Sequence, residues 1–126
     1  MKNSQDSFLK GRLRSFRYAF KGLWILVRTE HSIIVQLGVA ILITFAGFWL
    51  NISSIEWIAQ ILAIGLVLVS ESLNTAIEKM CDFVHPEFSD RIGRIKDIAA
   101  GGVIFAAITA IAIGFVIYLP KLLELV

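Results

Sequence analysis

One cysteine, Cys81, and two prolines, Pro86 and Pro120, are all the chain has of either. A lone thiol excludes an internal disulfide, and without a second cysteine the C-x-x-C and Cys/His zinc spacings are excluded too. Cys81 therefore reads as a small packing residue. Charge is also scarce. Asp, Glu, Lys and Arg make up 17% of residues against 57% hydrophobic ones, with a mean hydropathy of +0.78. A soluble domain usually carries about 25% charged residues. The few charges are clumped, so that none occurs from His31 to Ile55, from Trp57 to Ser70, or from Ile98 to Pro120. A membrane span needs roughly 20 apolar residues to cross about 30 Å of hydrocarbon. The first and third gaps reach that length alone, and the middle one only by running on into the charged stretch after it. The 126 residues thus form one small all-α membrane domain with spans predicted at 32–50, 55–83 and 91–119.

Cations are missing from the connection around residues 51–56, whereas Lys2, Lys10, Arg12, Arg14, Arg17, Lys21 and Arg28 precede the first span. Lys79, Arg91, Arg94 and Lys96 flank the connection between the second and third spans. The positive-inside rule puts the N-terminus in the cytoplasm and the C-terminus outside, in a multi-pass protein of the cytoplasmic (inner) membrane. A cleavable signal peptide is not expected, because a long polar segment precedes the first apolar run. That segment, 7–28, alternates Phe8, Phe16, Tyr18, Phe20, Leu23 and Trp24 with cations. It is predicted to be an amphipathic helix lying in the membrane interface, able to lean on anionic lipid. Gly11 and Gly22 weaken it locally. Trp49 and Trp57 flank the external turn as interfacial anchors. Small residues of the third span, from Ala99 to Gly102 and at Ala106, Ala107 and Ala110, are a packing signal.

One stretch breaks the economy of charge: V-L-V-S-E-S-L-N-T-A-I-E-K-M-C-D, residues 67–82. With Glu71 at zero and roughly 100° per residue, Asn74 falls near −60°, Glu78 near −20° and Asp82 near +20°. The four share one arc of about 80° and extend about 16 Å along the axis. This stripe begins inside the membrane edge and ends in water. Asp82 and Glu78 can be explained as a helix end reaching toward water. It explains Glu71 poorly, because an uncharged apolar run precedes it, and a carboxylate in hydrocarbon is a functional candidate by default.

Glu30 just before the first span, and Lys96 and Asp97 at the start of the third, sit at a similar depth. Singly, each is equally well an ordinary helix start. Together with Glu71 and Glu78 they suit phosphoryl transfer. Paired carboxylates hold Mg²⁺, which keeps its phosphate partners. A lysine neutralises phosphate, and a carboxylate in a partly apolar site can act as a general base. No G-x-x-x-x-G-K-[ST] loop or protein-kinase motif is present, so the nucleotide site differs from those folds.

E-S-L-N-T-A-I-E-K-M-C-D followed by G-R-I-K-D-I-A-A-G-G resembles the prokaryotic diacylglycerol kinase family, small integral-membrane kinases that include undecaprenol kinases. Y-A-F-K-G-L at 18–23 and Glu30 fit the same pattern, and the resemblance covers nearly the whole chain. It implies a homotrimer with an N-terminal surface helix and active sites shared between neighbouring subunits. It further implies Glu71 as the base that takes the lipid hydroxyl's proton, with Asn74 ordering the site beside it. Glu30 and Glu78 would hold the Mg²⁺ that bridges the ATP phosphates. Lys96 would neutralise phosphate, and Asp97 would help bind the nucleotide. Tyr18, Glu87, Phe88 and Ser89 fall where family members approach it. One branch of the family has a second acid where this chain has Gln36, which places Gln36 beside Glu71 at the lipid substrate and implies altered lipid contacts. The basic residue some members carry near Gly11 is absent, though Lys10 and Arg12 flank that position.

The favoured reading is ATP-dependent phosphorylation of a membrane lipid alcohol, either diacylglycerol to phosphatidic acid or undecaprenol to undecaprenyl phosphate. No nucleic-acid partner is expected. A small proton-coupled transporter with Glu71 as carrier is the alternative, and a non-catalytic membrane scaffold is a third. The transporter accounts for one buried acid but not for the whole stripe plus Lys96 and Asp97.

Overall fold

The computed structural model describes residues 7–126; Lys2, counted among the N-terminal cations, lies outside them. The described chain folds into four helices: α1, Phe8–Thr29; α2, His31–Trp49; α3, Ser54–Val84; and α4, Asp90–Glu124. The last three are long and apolar enough to cross a membrane. Among the described residues there is no strand.

Each boundary has a local cause. Ser7 caps α1 by accepting from the Lys10 amide at 3.3 Å, which satisfies one of the orphan donors of a helix start. The helix then runs unbroken through Gly11 and Gly22. Glu30, extended at φ −102° and ψ 108°, ends α1 and begins α2. The α2–α3 connection is tight. Asn51 has φ 53°, the left-handed region that Asn tolerates better than most side chains. Its amide donates to Phe48 O at 3.3 Å, and the Ile52 amide donates to Gly47 O at 3.1 Å. Those two bonds make a Schellman C-cap. Directly afterwards Ser53 and Glu56 form a reciprocal capping box, so α3 starts without a wasted residue. Gly47 is required by the same corner: a methyl there would lie 2.7 Å from the Trp57 ring. At the other end of α3, His85 is extended at φ −146°, as expected of a residue before proline.

The third span departs from its predicted end. Helix α4 does not stop at Leu119 but continues through Pro120 to Glu124. Proline's fixed φ is itself helical, and what is lost is one amide donor to the Val116 carbonyl. Two side chains hold that last stretch in place. Lys121 Nζ reaches Glu56 Oε1 at 3.1 Å, and Tyr118 Oη donates to the Ile43 carbonyl at 3.1 Å and bonds Gln60 Oε1.

Helix α3 packs far more extensively against α4 than against α2. The core is correspondingly thin. Ile52, Ile117 and Tyr118 form a buried cluster backed by Ile43, Ala46 and Trp57. The small residues of α4 divide. Ala106 is buried, but Gly101 and Gly102 face open space with no atom within 4 Å of a would-be Cβ. Apolar side chains such as Leu42, Phe45, Phe105 and Val116 cover the outside of the bundle, the arrangement a hydrocarbon solvent permits.

At about 1.5 Å per residue, α3 and α4 each outrun a bilayer of about 30 Å. Counted inward from the turn, roughly 20 residues end near Glu71 on α3. The turns beyond it, with Glu78 and Asp82, project past the apolar slab.

Helix α1 buries none of its residues. With Phe8 at zero, Leu9, Leu13, Phe16, Phe20, Leu23 and Trp24 fall between about 60° and 160°, and Lys10, Arg14, Arg17, Lys21 and Arg28 between about 180° and 240°. An apolar face and a basic stripe thus run side by side along it.

Candidate active site

Burial falls off along the α3 stripe in the direction the pattern of charge predicts. Glu71 is 9% exposed, Asn74 8% and Thr75 5%, whereas Glu78 and Asp82 are exposed. Glu71 has no hydrogen-bond or ion-pair partner among the described residues. Asn74 lies one turn away. Its Nδ2 donates to Glu78 Oε1 at 3.3 Å, and its Oδ1 is buried with no partner. A buried amide oxygen left unpaired costs free energy.

Two charged residues from other helices close on the same turns of α3. Glu30 Oε1 lies 3.4 Å from Lys79 Nζ and accepts from Thr29 Oγ1 at 3.3 Å. Because Lys79 follows Glu78 directly, the α1–α2 joint is brought to the Glu78 turn. Lys96 Nζ donates to Asp82 Oδ1 at 2.6 Å, one turn beyond Glu78. Glu30 and Lys96 therefore meet α3 at Lys79 and Asp82, one residue and one turn from Glu78.

The site is looser elsewhere. Asp97 is exposed. Tyr18, near 280° on the α1 wheel, points away from that helix's apolar face. Glu87 and Phe88 are exposed and Ser89 is half-buried. The loop that carries them is pinned by His85 Nδ1, which donates to the Glu87 carbonyl at 2.7 Å. None of Tyr18, Glu87, Phe88, Ser89 and Asp97 touches the carboxylates of α3.

Two residues, Thr75 and Lys79, escaped the sequence reading of the site, and a third, Asp82, was read without its partner. Thr75, near +40° on the wheel, belongs to the buried stripe and was available from the same arithmetic. Asp82 proves to be the partner of Lys96. Lys79 had been read only as a loop cation, and its contact with Glu30 depends on where the α1–α2 joint falls, which no periodicity reveals.

The family model described as prokaryotic diacylglycerol kinase matches residues 17–118. The chain belongs to that family. An undecaprenol kinase from Bacillus subtilis (strain 168) is 36% identical over 121 residues, covering 96% of this chain and 95% of the relative. A diacylglycerol kinase from Synechocystis sp. is 33% identical over 114 residues, covering 90% of this chain and 65% of the relative. A diacylglycerol kinase from Escherichia coli (strain K12) is 31% identical over 115 residues, with coverage of 88% and 90%. No transporter stands among these relatives, and the transporter reading finds no support.

In this prokaryotic diacylglycerol kinase family member, the donor set around Glu78 is made of hard oxygens. Among the described residues no group of three or more His, Cys, Asp or Glu side chains could hold a metal. Mg²⁺ asks less of a protein than such a group, taking one or two carboxylates and completing its shell with phosphate and water, and Glu78 and Glu30 offer oxygen donors of that kind.

Beyond Glu71 toward the turn, α2, α3 and α4 enclose a cavity of about 320 Å³. Its walls are mostly apolar, and Val67 and Leu68, one turn from Glu71, line it. Gln36 also lines it, and its Oε1 is buried without a partner.

Proposed function

We propose that this lipid kinase transfers the γ-phosphoryl group of ATP to the hydroxyl of diacylglycerol or undecaprenol at the cytoplasmic face of the membrane. The observation that carries the reading is the isolated, buried Glu71 carboxylate, next to Asn74 and one helix face with Glu78, on turns that Glu30 and Lys96 approach. A carboxylate with no protein partner is free to take a proton from a substrate that docks beside it. The lipid hydroxyl supplies it. As the hydroxyl oxygen bonds to phosphorus, its proton passes to Glu71 and the bond from phosphorus to the ADP oxygen breaks. Phosphorylated lipid and ADP leave, and Glu71 returns the proton to water.

The remaining residues position and neutralise. Asn74 holds Glu78 through Nδ2 and offers its unpaired Oδ1 to the incoming alcohol or to water. Glu30 and Glu78 would hold Mg²⁺, which supplies charge neutralisation of the phosphates when bound. Lys96, steered by Asp82, is the cation for the transferring phosphoryl group. Asp97, Tyr18, Glu87, Phe88 and Ser89 form the outer ring where the nucleotide arrives. Gln36 stands toward the lipid side. The charge distribution supports a cytoplasmic N-terminus and an external C-terminus. A homotrimer with shared sites suits a bundle whose core is thin and whose Asn74 Oδ1 lacks a partner.

The test is incubation of the purified protein in bilayers with γ-labelled ATP and separate lipid alcohols: undecaprenol, diacylglycerol, and a hydroxyl-blocked control. Label is expected in the lipid phase with an equal amount of ADP, and none with the blocked lipid. Absence of transfer to every alcohol overturns the reading.

Lys79 gives a finer check. It pairs with Glu30 at an exposed position, and such pairs bring little stability. Its charge competes with a metal for the same carboxylate. Lys79→Gln is expected to lower the half-saturating Mg²⁺ concentration by about two- to fivefold, with thermal stability unchanged. A rise in the Mg²⁺ requirement would show instead that Lys79 helps to hold Glu30 in place.

A further inference from the structure

The cavity among α2, α3 and α4 has no part in the chemistry above. It holds about 320 Å³, near the small end of the roughly 300–1,000 Å³ of ligand pockets, which is room for one chain. Val67 and Leu68 line its mouth, one turn from Glu71. Gln60 and Tyr118 line its floor, about 16 Å along α3 from Glu71. The polar groups of the floor are engaged, with Gln60 and Tyr118 bonded to each other and to the Ile43 carbonyl. Between mouth and floor, Ala40, Ala63, Ala110 and Gly114 bring little side-chain volume to the walls. A Cβ added at Gly114 would meet no atom within 4 Å. Lys96 meets Asp82 and Tyr118 meets Gln60, an even antiparallel register that puts Gly114 level with Ile64, about 10 Å from Glu71 toward the turn.

Gln36 marks the other end. Helix α2 runs antiparallel to α3 with Ile43 beside Gln60, so Gln36 comes level with Val67. Its Oε1 is buried without a partner among the described residues, which gives the mouth an unengaged polar atom where the floor has bonded ones. An apolar space at this depth is filled by hydrocarbon or by protein, since water does not settle in it. The position of Glu71 chooses between them. An alcohol whose hydroxyl reaches Glu71 at the membrane edge must lay its chain toward the middle of the bilayer, and the cavity runs in that direction. Val39 and Ile111, 55% and 59% exposed, also line it. They leave one side open to the bilayer, through which a chain can enter.

We propose that this cavity binds one hydrocarbon chain of the acceptor alcohol, from a mouth at Gln36 to a floor at Gln60 and Tyr118, and that it selects acceptors by chain length. Selection of acceptors rests on the lipid-kinase reading, while the seating of a chain can be tested without it.

The full chain in bilayers is given pairs of alcohols that differ in chain length: dibutyrylglycerol against dioleoylglycerol, and dimethylallyl alcohol against undecaprenol. Gly114→Leu fills the cavity from α4 and Gly114→Ala fills it less, and both favour the helix over glycine. Gly38→Leu is the comparison, because Gly38 also has open space at its would-be Cβ and lies across α2 from Gln36. A chain that leaves the bilayer exchanges one apolar setting for another and gains packing only. The expected effect is therefore moderate: Gly114→Leu lowers the long-to-short ratio of kcat/KM about three- to tenfold, Gly114→Ala lowers it less, and Gly38→Leu leaves it as it is. The half-saturating Mg-ATP concentration should stay constant through the series, whereas a general loosening of the bundle would move it. In a second measurement, a diacylglycerol with a photoactivatable group midway along one chain should label the lining of α3 and α4 in the native chain, and Gly114→Leu should lose that label. Equal chain-length ratios in native chain and Gly114→Leu overturn the proposal. So does label as dense on outward residues such as Phe45 and Phe105 as on the lining. Label excluded from the lining overturns it too, and gives the cavity to a second copy of the chain. If no alcohol of any length is phosphorylated, the lipid-kinase reading falls, and the labelling still decides whether a chain is seated.

Discussion

Glu71→Gln is expected to lower kcat by about 10²- to 10⁴-fold, the usual contribution of a general base, with Mg-ATP binding unchanged. The substitution keeps the shape of the side chain and its burial at 9% exposure, and removes only the ability to accept a proton. The binding half of the expectation follows from geometry. Glu71 has no contact with Glu30, Glu78 or Lys96, so the groups assigned to metal and phosphate remain as they are. Stability should hold or rise, because a neutral amide is cheaper than a carboxylate at the edge of hydrocarbon. A steady-state assay, a fluorescent-nucleotide titration and a thermal melt together separate the outcomes. Lost activity with a normal melt and normal nucleotide binding isolates proton acceptance. Full activity in the glutamine variant removes Glu71 from the role of base.

The four helices were legible because their signals are strong and local. Gaps in charge mark the spans, Pro86 closes α3, and alternating rings and cations mark α1. The end of α4 is not legible, since a proline such as Pro120 ordinarily reads as a helix stop. Lys121 and Tyr118, anchored to residues far away in the chain, carry the helix past it. The same limit governs the site. Glu71, Asn74 and Glu78 share one helix, and turning 100° per residue suffices to align them. The pairs Lys79–Glu30 and Lys96–Asp82 join different helices and depend on how those helices pack. The stripe also reaches further than its charges suggested. Gln60, near −20° on the same wheel, is buried and bonded to Tyr118, so one face of α3 serves as a structural tie near the turn and as the candidate site at the other end.

This division of one helix face explains how so small a core can hold a charged site. Polar groups at membrane depth must be paired within the protein. Near the turn they are: Gln60, Tyr118 and the Ile43 carbonyl satisfy one another. Toward the other end pairing is deliberately incomplete, with Glu71 alone and Asn74 Oδ1 unbonded. The fixed end supplies rigidity, and the unsatisfied end supplies chemistry that the substrates complete.

Glu78→Ala is the second large expected effect, and it should differ in kind from the first. Glu78 is exposed, so its loss costs the fold little. It removes one of the two carboxylates assigned to Mg²⁺ and also the side-chain hydrogen bond that Asn74 makes among the described residues. The half-saturating Mg-ATP concentration should rise by about 10- to 100-fold, and kcat should fall as well, because Asn74 loses its fixed orientation beside Glu71. Asn74→Ala should reproduce the fall in kcat and leave most of the Mg-ATP affinity intact. In the double variant Glu78→Ala/Asn74→Ala the kcat effects should be less than additive, since one hydrogen bond is counted in both single variants. Glu30→Ala, which breaks no contact of Asn74, should raise the Mg-ATP requirement with a much smaller change in kcat. Strict additivity of Glu78 and Asn74, or an unaltered Mg²⁺ requirement in Glu78→Ala, would separate Glu78 from the metal and leave the oxygen donors of this face without the task assigned to them.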